Sequence, residues 1–134
     1  MGVTDYRDLE VYKRAFALPQ CVFEVSKAFP KSEACSLTDQ PRRSSRSVGA
    51  NVAEAWKKRR YPKPFVSKLT DSDAELAETP HWIRTAHACG YVDADIGTAL
   101  QDESAQTGRM LGAMIRDADR GCTTPSASRR RPDP

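Results

Sequence analysis

The chain has 134 residues and a mass of 14.9 kDa, enough for one domain with one sizeable core. Hydrophobic residues make up 39 % and charged residues 29 %, with 7 Gly and 9 Pro, which excludes collagen-like composition. No apolar run approaches the roughly 20 residues a membrane helix needs, so no membrane partner is expected.

The net charge of +3 conceals an asymmetry. Between Arg42 and Arg60 stand Arg42, Arg43, Arg46, Lys57, Lys58, Arg59 and Arg60 against Glu54 alone, a block of +6. Thr123 to Pro134 adds +2 through Arg129, Arg130 and Arg131 against Asp133, leaving −5 elsewhere. Such a block points to an anionic partner or to an acidic surface on a second copy. The opening Met1-Gly2-Val3-Thr4-Asp5-Tyr6 has no basic or apolar leader pattern, and Tyr6 breaks the myristoylation motif. A cytoplasmic location is therefore expected. Cys21, Cys35, Cys89 and Cys122 form no CxxC pair and read as free thiols, mostly packed between helices.

The first predicted helix carries two adjacent apolar stripes and ends near Phe29-Pro30, because the residue before proline leaves the α region. Leu9, Tyr12, Phe16, Pro19 and Phe23 form one stripe; Val11, Ala15, Leu18, Val22, Val25 and Phe29 form the other. The second helix opens at Ser36-Leu37-Thr38-Asp39, read as a capping box with Asp for Glu, and runs to about Arg60. Leu37, Val48, Val52 and Ala55 point inward, and Tyr61-Pro62-Lys63-Pro64 breaks the run. The third carries Phe65, Leu69, Ser72, Leu76, Thr79, Ile83 and Ala86 and stops at Gly90. Asp93 or Asp95 caps the fourth, whose stripe is Ile96, Leu100, Glu103, Thr107, Met110, Leu111, Met114 and Ala118. No strand pattern appears. Four helices with short connections predict an all-α, antiparallel up-down-up-down four-helix bundle over residues 1–122. A disordered basic tail is expected over residues 123–134. Pro19 and Pro80 fall mid-helix and Pro41 near a helix start; an interior proline costs about 3 kcal/mol or bends the helix.

Ser44, Ser47, Asn51 and Glu54 recur at steps of three, four and three beside the apolar positions of the second helix. Buried polar groups need partners, so a buried network that fixes helix register is expected. Gln40, Asn51, Glu54, Glu75, Glu78 and Thr79 are its expected members, with Arg43 in reach. Glu78 and His81 form a lone Glu-x-x-His, and a di-iron bundle needs two such units and two further Glu. No metal, cofactor or catalytic set is expected. Arg42, Arg43, Arg46, Lys57, Lys58, Arg59 and Arg60 are the candidate phosphate contacts, with Trp56 and Tyr61 as candidate stacking residues.

Several stretches resemble a known family. Tyr6-Arg7-Asp8-Leu9-Glu10-Val11-Tyr12-Lys13-Arg14-Ala15, Phe29-Pro30-Lys31-Ser32-Glu33 and Leu37-Thr38-Asp39-Gln40-Pro41-Arg42-Arg43 are similar to the 23S rRNA intervening-sequence proteins. So are Ser47 to Ala55, against that family's Asn-Ile-Ala-Glu-Gly signature, and Glu75-Leu76-Ala77-Glu78-Thr79, against its Glu-Leu-Glu-Thr motif. The chain departs from the usual pattern at Pro41, Ser44, Ser45, Arg46 and Ala55. The resemblance implies a left-handed four-helix bundle assembled as a homopentameric ring. A related branch serves reverse transcriptases of diversity-generating retroelements as a basic, nucleic-acid-binding accessory protein.

Two functions are thus expected to compete: a non-enzymatic, homo-oligomeric RNA- or DNA-binding protein, with a reverse transcriptase as a possible partner class, and an oligomeric scaffold. In the scaffold, the basic second helix meets an acidic surface: Asp93, Asp95, Asp102, Glu103, Asp117 and Asp119 against Arg109 and Arg116.

Overall fold

The computed structural model describes residues 2–119, so the expected tail and the boundary at residue 122 lie outside the described residues. Four helices follow one another: α1 (Glu10–Ser26), α2 (Asp39–Lys57), α3 (Pro62–Ala88) and α4 (Ala94–Asp119). Short 3-10 turns at Tyr6–Asp8 and Lys31–Glu33 precede α1 and α2. No strand occurs among the described residues.

Neighbouring helices alternate in direction. Along the α2–α3 seam, Arg43 meets Glu78, Ser44 meets Thr79, Ser72 meets Val48 and Lys68 meets Asn51, so one helix descends as the other rises. Backbone contacts close the ring α1–α2–α3–α4–α1, while among the described residues the diagonal pairs α1–α3 and α2–α4 bring no Cα atoms within 8 Å. The chain is an up-down-up-down bundle, as its short connections imply.

The core confirms some stripes and rotates others. All seven positions of the third stripe, Phe65 through Ala86, are buried. In α1 the stripe of Val11, Ala15, Leu18 and Val22 goes inside with Ser26, while the other is split: Leu9 and Pro19 are buried and Tyr12 half-buried, but Phe16 is 56 % exposed and Phe23 half-buried. In α4, Leu100, Ser104, Thr107, Leu111 and Ala118 face inward, but Ile96 and Glu103 are exposed. The three described cysteines, Cys21, Cys35 and Cys89, are free and exposed rather than packed between helices.

Helix ends follow local chemistry. Helix α1 stops at Ser26, a turn before Phe29, and α2 stops at Lys57 rather than Arg60. Gly90 adopts φ +83, and Tyr91 N–H reaches back to the Ala86 carbonyl at 2.9 Å, closing α3 with a left-handed glycine. Asp93 caps α4 by accepting from the Ile96 N–H at 2.9 Å. The predicted capping box is absent: Ser36 Oγ donates to Glu33, and Thr38 makes no side-chain cap. Thr38 Oγ1 is instead buried without a hydrogen-bond partner. Thr38→Val keeps the shape and removes the orphaned hydroxyl, so it should raise stability by about 1 kcal/mol. A urea midpoint that falls would show the hydroxyl is satisfied in solution.

Of the three prolines, only Pro41 falls where a helix loses no hydrogen bond. Pro41 is the third residue of α2, where a helix N–H has no intrahelical acceptor to lose. Helices α1 and α3 run without interruption through Pro19 and Pro80. Pro19 cannot donate to the Ala15 carbonyl, and Gly49 of α2 packs against that turn. A Cβ on Gly49 would lie 3.7 Å from Ala15 O and 3.6 Å from Tyr12 Cε1.

At one end of the bundle a small second core joins Phe29, Leu37, Ala86 and Val92. The Tyr91 hydroxyl donates to Glu33 at 3.0 Å, tying the α1–α2 connection to the α3–α4 turn. The Ser36 hydroxyl, then that of Tyr91, hold the Glu33 carboxyl below its usual range.

Candidate nucleic-acid interface

The basic block does not form one patch. Arg42 and Lys57 are separated by about 22 Å of α2 at 1.5 Å per residue, so the seven cations divide between the two ends of the helix.

The N-terminal group is largely committed within the fold. Arg42 Nε donates to Ser26 Oγ at 2.7 Å, and its guanidinium lies 4.7 Å from the centre of the Phe23 ring. Arg46, one turn on, lies 5.9 Å from the same ring, and Lys27 lies 5.0 Å from it. Three cations thus cover the aromatic ring that α1 leaves outside its core, a favourable cation–π arrangement. Arg43 bridges to α3, donating to Glu75 at 3.1 and 3.2 Å and to Glu78 at 2.6 Å. Glu78 also accepts from the Trp82 indole at 2.8 Å; Trp82 first, and Arg43 with it, keep that carboxyl below its usual range. Both donors meet on Glu78 Oε2.

The expected polar network is two clusters rather than one. Glu75, Glu78, Thr79 and Arg43 form the first, with Ser44 Oγ 2.8 Å from Thr79 Oγ1 in the buried seam. Asn51 and Glu54 form the second around Lys68, which reaches Asn51 Oδ1 at 3.5 Å and Glu54 at 3.3 Å. Gln40 joins neither through a hydrogen bond among the described residues; it lines an open groove with Arg42, Arg43 and Arg46. Glu54 is exposed, not buried, because its position on α2 turns past the seam toward Lys58, 3.6 Å away. An exposed pair of this kind contributes little, so Glu54→Ala should cost at most about 1 kcal/mol and less at high salt. A larger, salt-independent drop in the urea midpoint would restore a buried role. Lys68 escaped the sequence reading; its signal was a lone lysine within reach of Asp71 at i+3, with Asn51 and Glu54 contributed by another helix.

The C-terminal group lies on the corner between α2 and α3. Lys57 and Lys58 are exposed, Arg60 is exposed, and Arg59 is half-buried. Arg59 is folded back: its Nη1 donates to the Trp56 carbonyl at 2.8 Å and its guanidinium covers the Trp56 ring at 4.3 Å. Trp56 is 2 % exposed and belongs to the main core, so it is no stacking surface. Tyr61 is 60 % exposed. Lys63, which the sequence reading omitted, adds a cation in the first turn of α3. From Glu54 to Lys63 five cations face one carboxylate, a net of +4, and the closing turn of α2 favours that sign through the helix dipole.

No helix among the described residues is long and apolar enough to cross a membrane. No curated protein matches the chain. Among solved structures, a protein of unknown function from the S23 ribosomal protein family of Bacteroides thetaiotaomicron shares the fold with a TM-score of 0.71 and 20 % identity, over 79 % of this chain and 95 % of that one. The family model for the 23S rRNA-intervening sequence protein matches residues 7–113, the stretch that contains α1 to α3, most of α4 and both basic groups. With that match laid over a ring of four alternating helices, the chain belongs to the 23S rRNA-intervening sequence protein family.

Proposed function

We propose that this chain is a non-enzymatic, homo-oligomeric protein of the cytoplasm that binds RNA or DNA through phosphate contacts. The observation that carries the reading is the stretch from Lys57 to Lys63, which brings five cations and a 60 % exposed tyrosine to one corner, with Glu54, paired to Lys58, the carboxylate nearest in the chain. Phosphate contact needs clustered cations and no motif, and it carries no base sequence on its own. The N-terminal arginines support it less, since Arg43 is neutralised by Glu75 and Glu78 and Arg42 is bound to Ser26. A homopentamer is the assembly that the family resemblance favours, and it multiplies the corner around a ring, where weak contacts gain avidity. A reverse transcriptase is a partner class consistent with that resemblance.

Four phosphate contacts on a single strand give a slope of log K against log salt near −3, so affinity should fall by about fifty-fold between 50 and 200 mM. Replacing Lys57, Lys58, Arg59 and Arg60 together by Ala should weaken binding and flatten that slope while the oligomer, weighed by light scattering against the 14.9 kDa protomer, keeps its size. The same assay on a chain ending at Cys122 separates this corner from Arg129–Arg131. Absence of binding in the parent, with an oligomer that falls apart in salt or in the quadruple variant, would favour the scaffold instead.

A further inference from the structure

The α2–α3 corner holds an aromatic ring that packing does not explain. Helix α2 ends at Lys57, and Lys58, with φ −99 and ψ 7, leaves the helical path. Tyr61 follows in extended geometry at φ −118 and ψ 126, the region that a residue before proline prefers, and Pro62 opens α3. The backbone of Tyr61 is used, since its carbonyl accepts from the Phe65 N–H at 3.2 Å. Its side chain is not: the ring is 60 % exposed, and no hydrogen bond among the described residues holds its hydroxyl. Five residues earlier, Trp56 shows the opposite outcome, buried to 2 % with Arg59 lying over it. One aromatic of this corner serves the core, and the other is presented to solvent on a backbone restrained by proline.

The cations around Tyr61 are divided the same way. Lys58 pairs with Glu54, and Arg59 is tied to the Trp56 carbonyl. Lys57, Arg60 and Lys63 have no ion pair among the described residues, and the Arg60 guanidinium lies 5.7 Å from the Tyr61 ring centre. An exposed ring with a guanidinium beside it, and with the unpaired lysines Lys57 and Lys63 within four residues of it in the chain, matches the chemistry of an unpaired nucleotide: a π-face to stack and a phosphate to neutralise.

We infer that Tyr61, with Arg60, is a stacking platform that makes the corner prefer single-stranded over duplex nucleic acid. The inference rests on the phosphate-binding reading above. A duplex offers its phosphates to Lys57, Arg60 and Lys63 as a single strand does, but its base faces are already stacked on each other. Only an unpaired base gains the aromatic contact, and it gains it in RNA and DNA alike because every base has a π-face.

The test uses the full chain and fluorescence anisotropy with labelled oligouridine, oligothymidine and fully paired RNA and DNA duplexes of equal length, compared at matched salt across a series from about 50 to 200 mM. The parent should bind both single strands about five- to twenty-fold more tightly than the duplexes. Tyr61→Ala should bring single-strand affinity down to the duplex level and leave duplex affinity and the salt slope unchanged, while Tyr61→Phe keeps the preference. Tyr61→Trp supplies a second readout, with its emission quenched by single strands and not by duplexes. A parent that binds neither form overturns the phosphate-binding reading and this inference with it. A parent that binds single strands and duplexes equally, or a Tyr61→Ala variant that keeps the preference, overturns the stacking role alone.

Discussion

Leu69→Ala should destabilise the protein by about 3–5 kcal/mol, because it deletes a fully buried side chain from the first third of α3. Leu69 is 0 % exposed and joins the main core with residues from all four helices. The lost transfer free energy is joined by a cavity term, since helices held at their seams by interhelical hydrogen bonds collapse poorly into a void. Against a total stability of about 5–15 kcal/mol this is a large fraction, visible as a urea midpoint shifted without a change in slope. Both proteins must be compared at one protomer concentration, because any association adds to apparent stability. A loss under about 1.5 kcal/mol would show that the site relaxes freely, contrary to the sealed packing described here.

Ser72→Leu should cost about 2–3 kcal/mol by the opposite mechanism. Ser72 is 0 % exposed, and its hydroxyl donates across the seam to the Val48 carbonyl at 2.8 Å. A leucine there is apolar and fits the helical period, yet the space holds only a hydroxymethyl group, so α2 and α3 must separate. Separation also pulls Arg43 from Glu75 and Glu78 and Ser44 from Thr79. Ser72→Ala removes one hydrogen bond and no space, so it should cost about 1 kcal/mol. The ordering of the two midpoints is the check: an alanine variant less stable than the leucine variant would mean that the hydrogen bond, not the close approach, sets the seam.

The helix count and the third stripe were legible in the sequence because spacing alone specifies them. Phe65, Leu69, Ser72, Leu76, Thr79, Ile83 and Ala86 leave a single continuous face and are the fully buried residues of that helix. The end at Gly90 was legible for a local reason too, as a left-handed residue terminates a helix wherever it occurs. The first helix offered two adjacent stripes, and its sequence does not say which one turns inward. Ser26 and Phe23 settle it in the fold: Ser26 goes inside and accepts from Arg42, and Phe23 stays at the edge under three cations.

The candidate site divides along the same line. A run of seven cations on and just beyond one helix is visible as charge, and so is its preference for an anionic partner. The fate of each cation is not, because it depends on what another helix places opposite. The Arg43 charge is balanced by Glu75 and Glu78, more than thirty residues away in the chain. Trp56 and Tyr61 looked alike as aromatics beside a basic cluster, yet one turned into the core and the other did not. By itself the sequence determined the helices, their order, their alternation and the sign of the surface, all consequences of periodicity, short connections and composition. Only the tertiary structure decided which stripe is core, which carboxylates cancel which arginines and which ring meets solvent. Those outcomes depend on how each helix is rotated about its axis against its neighbours, and no single helix encodes that rotation.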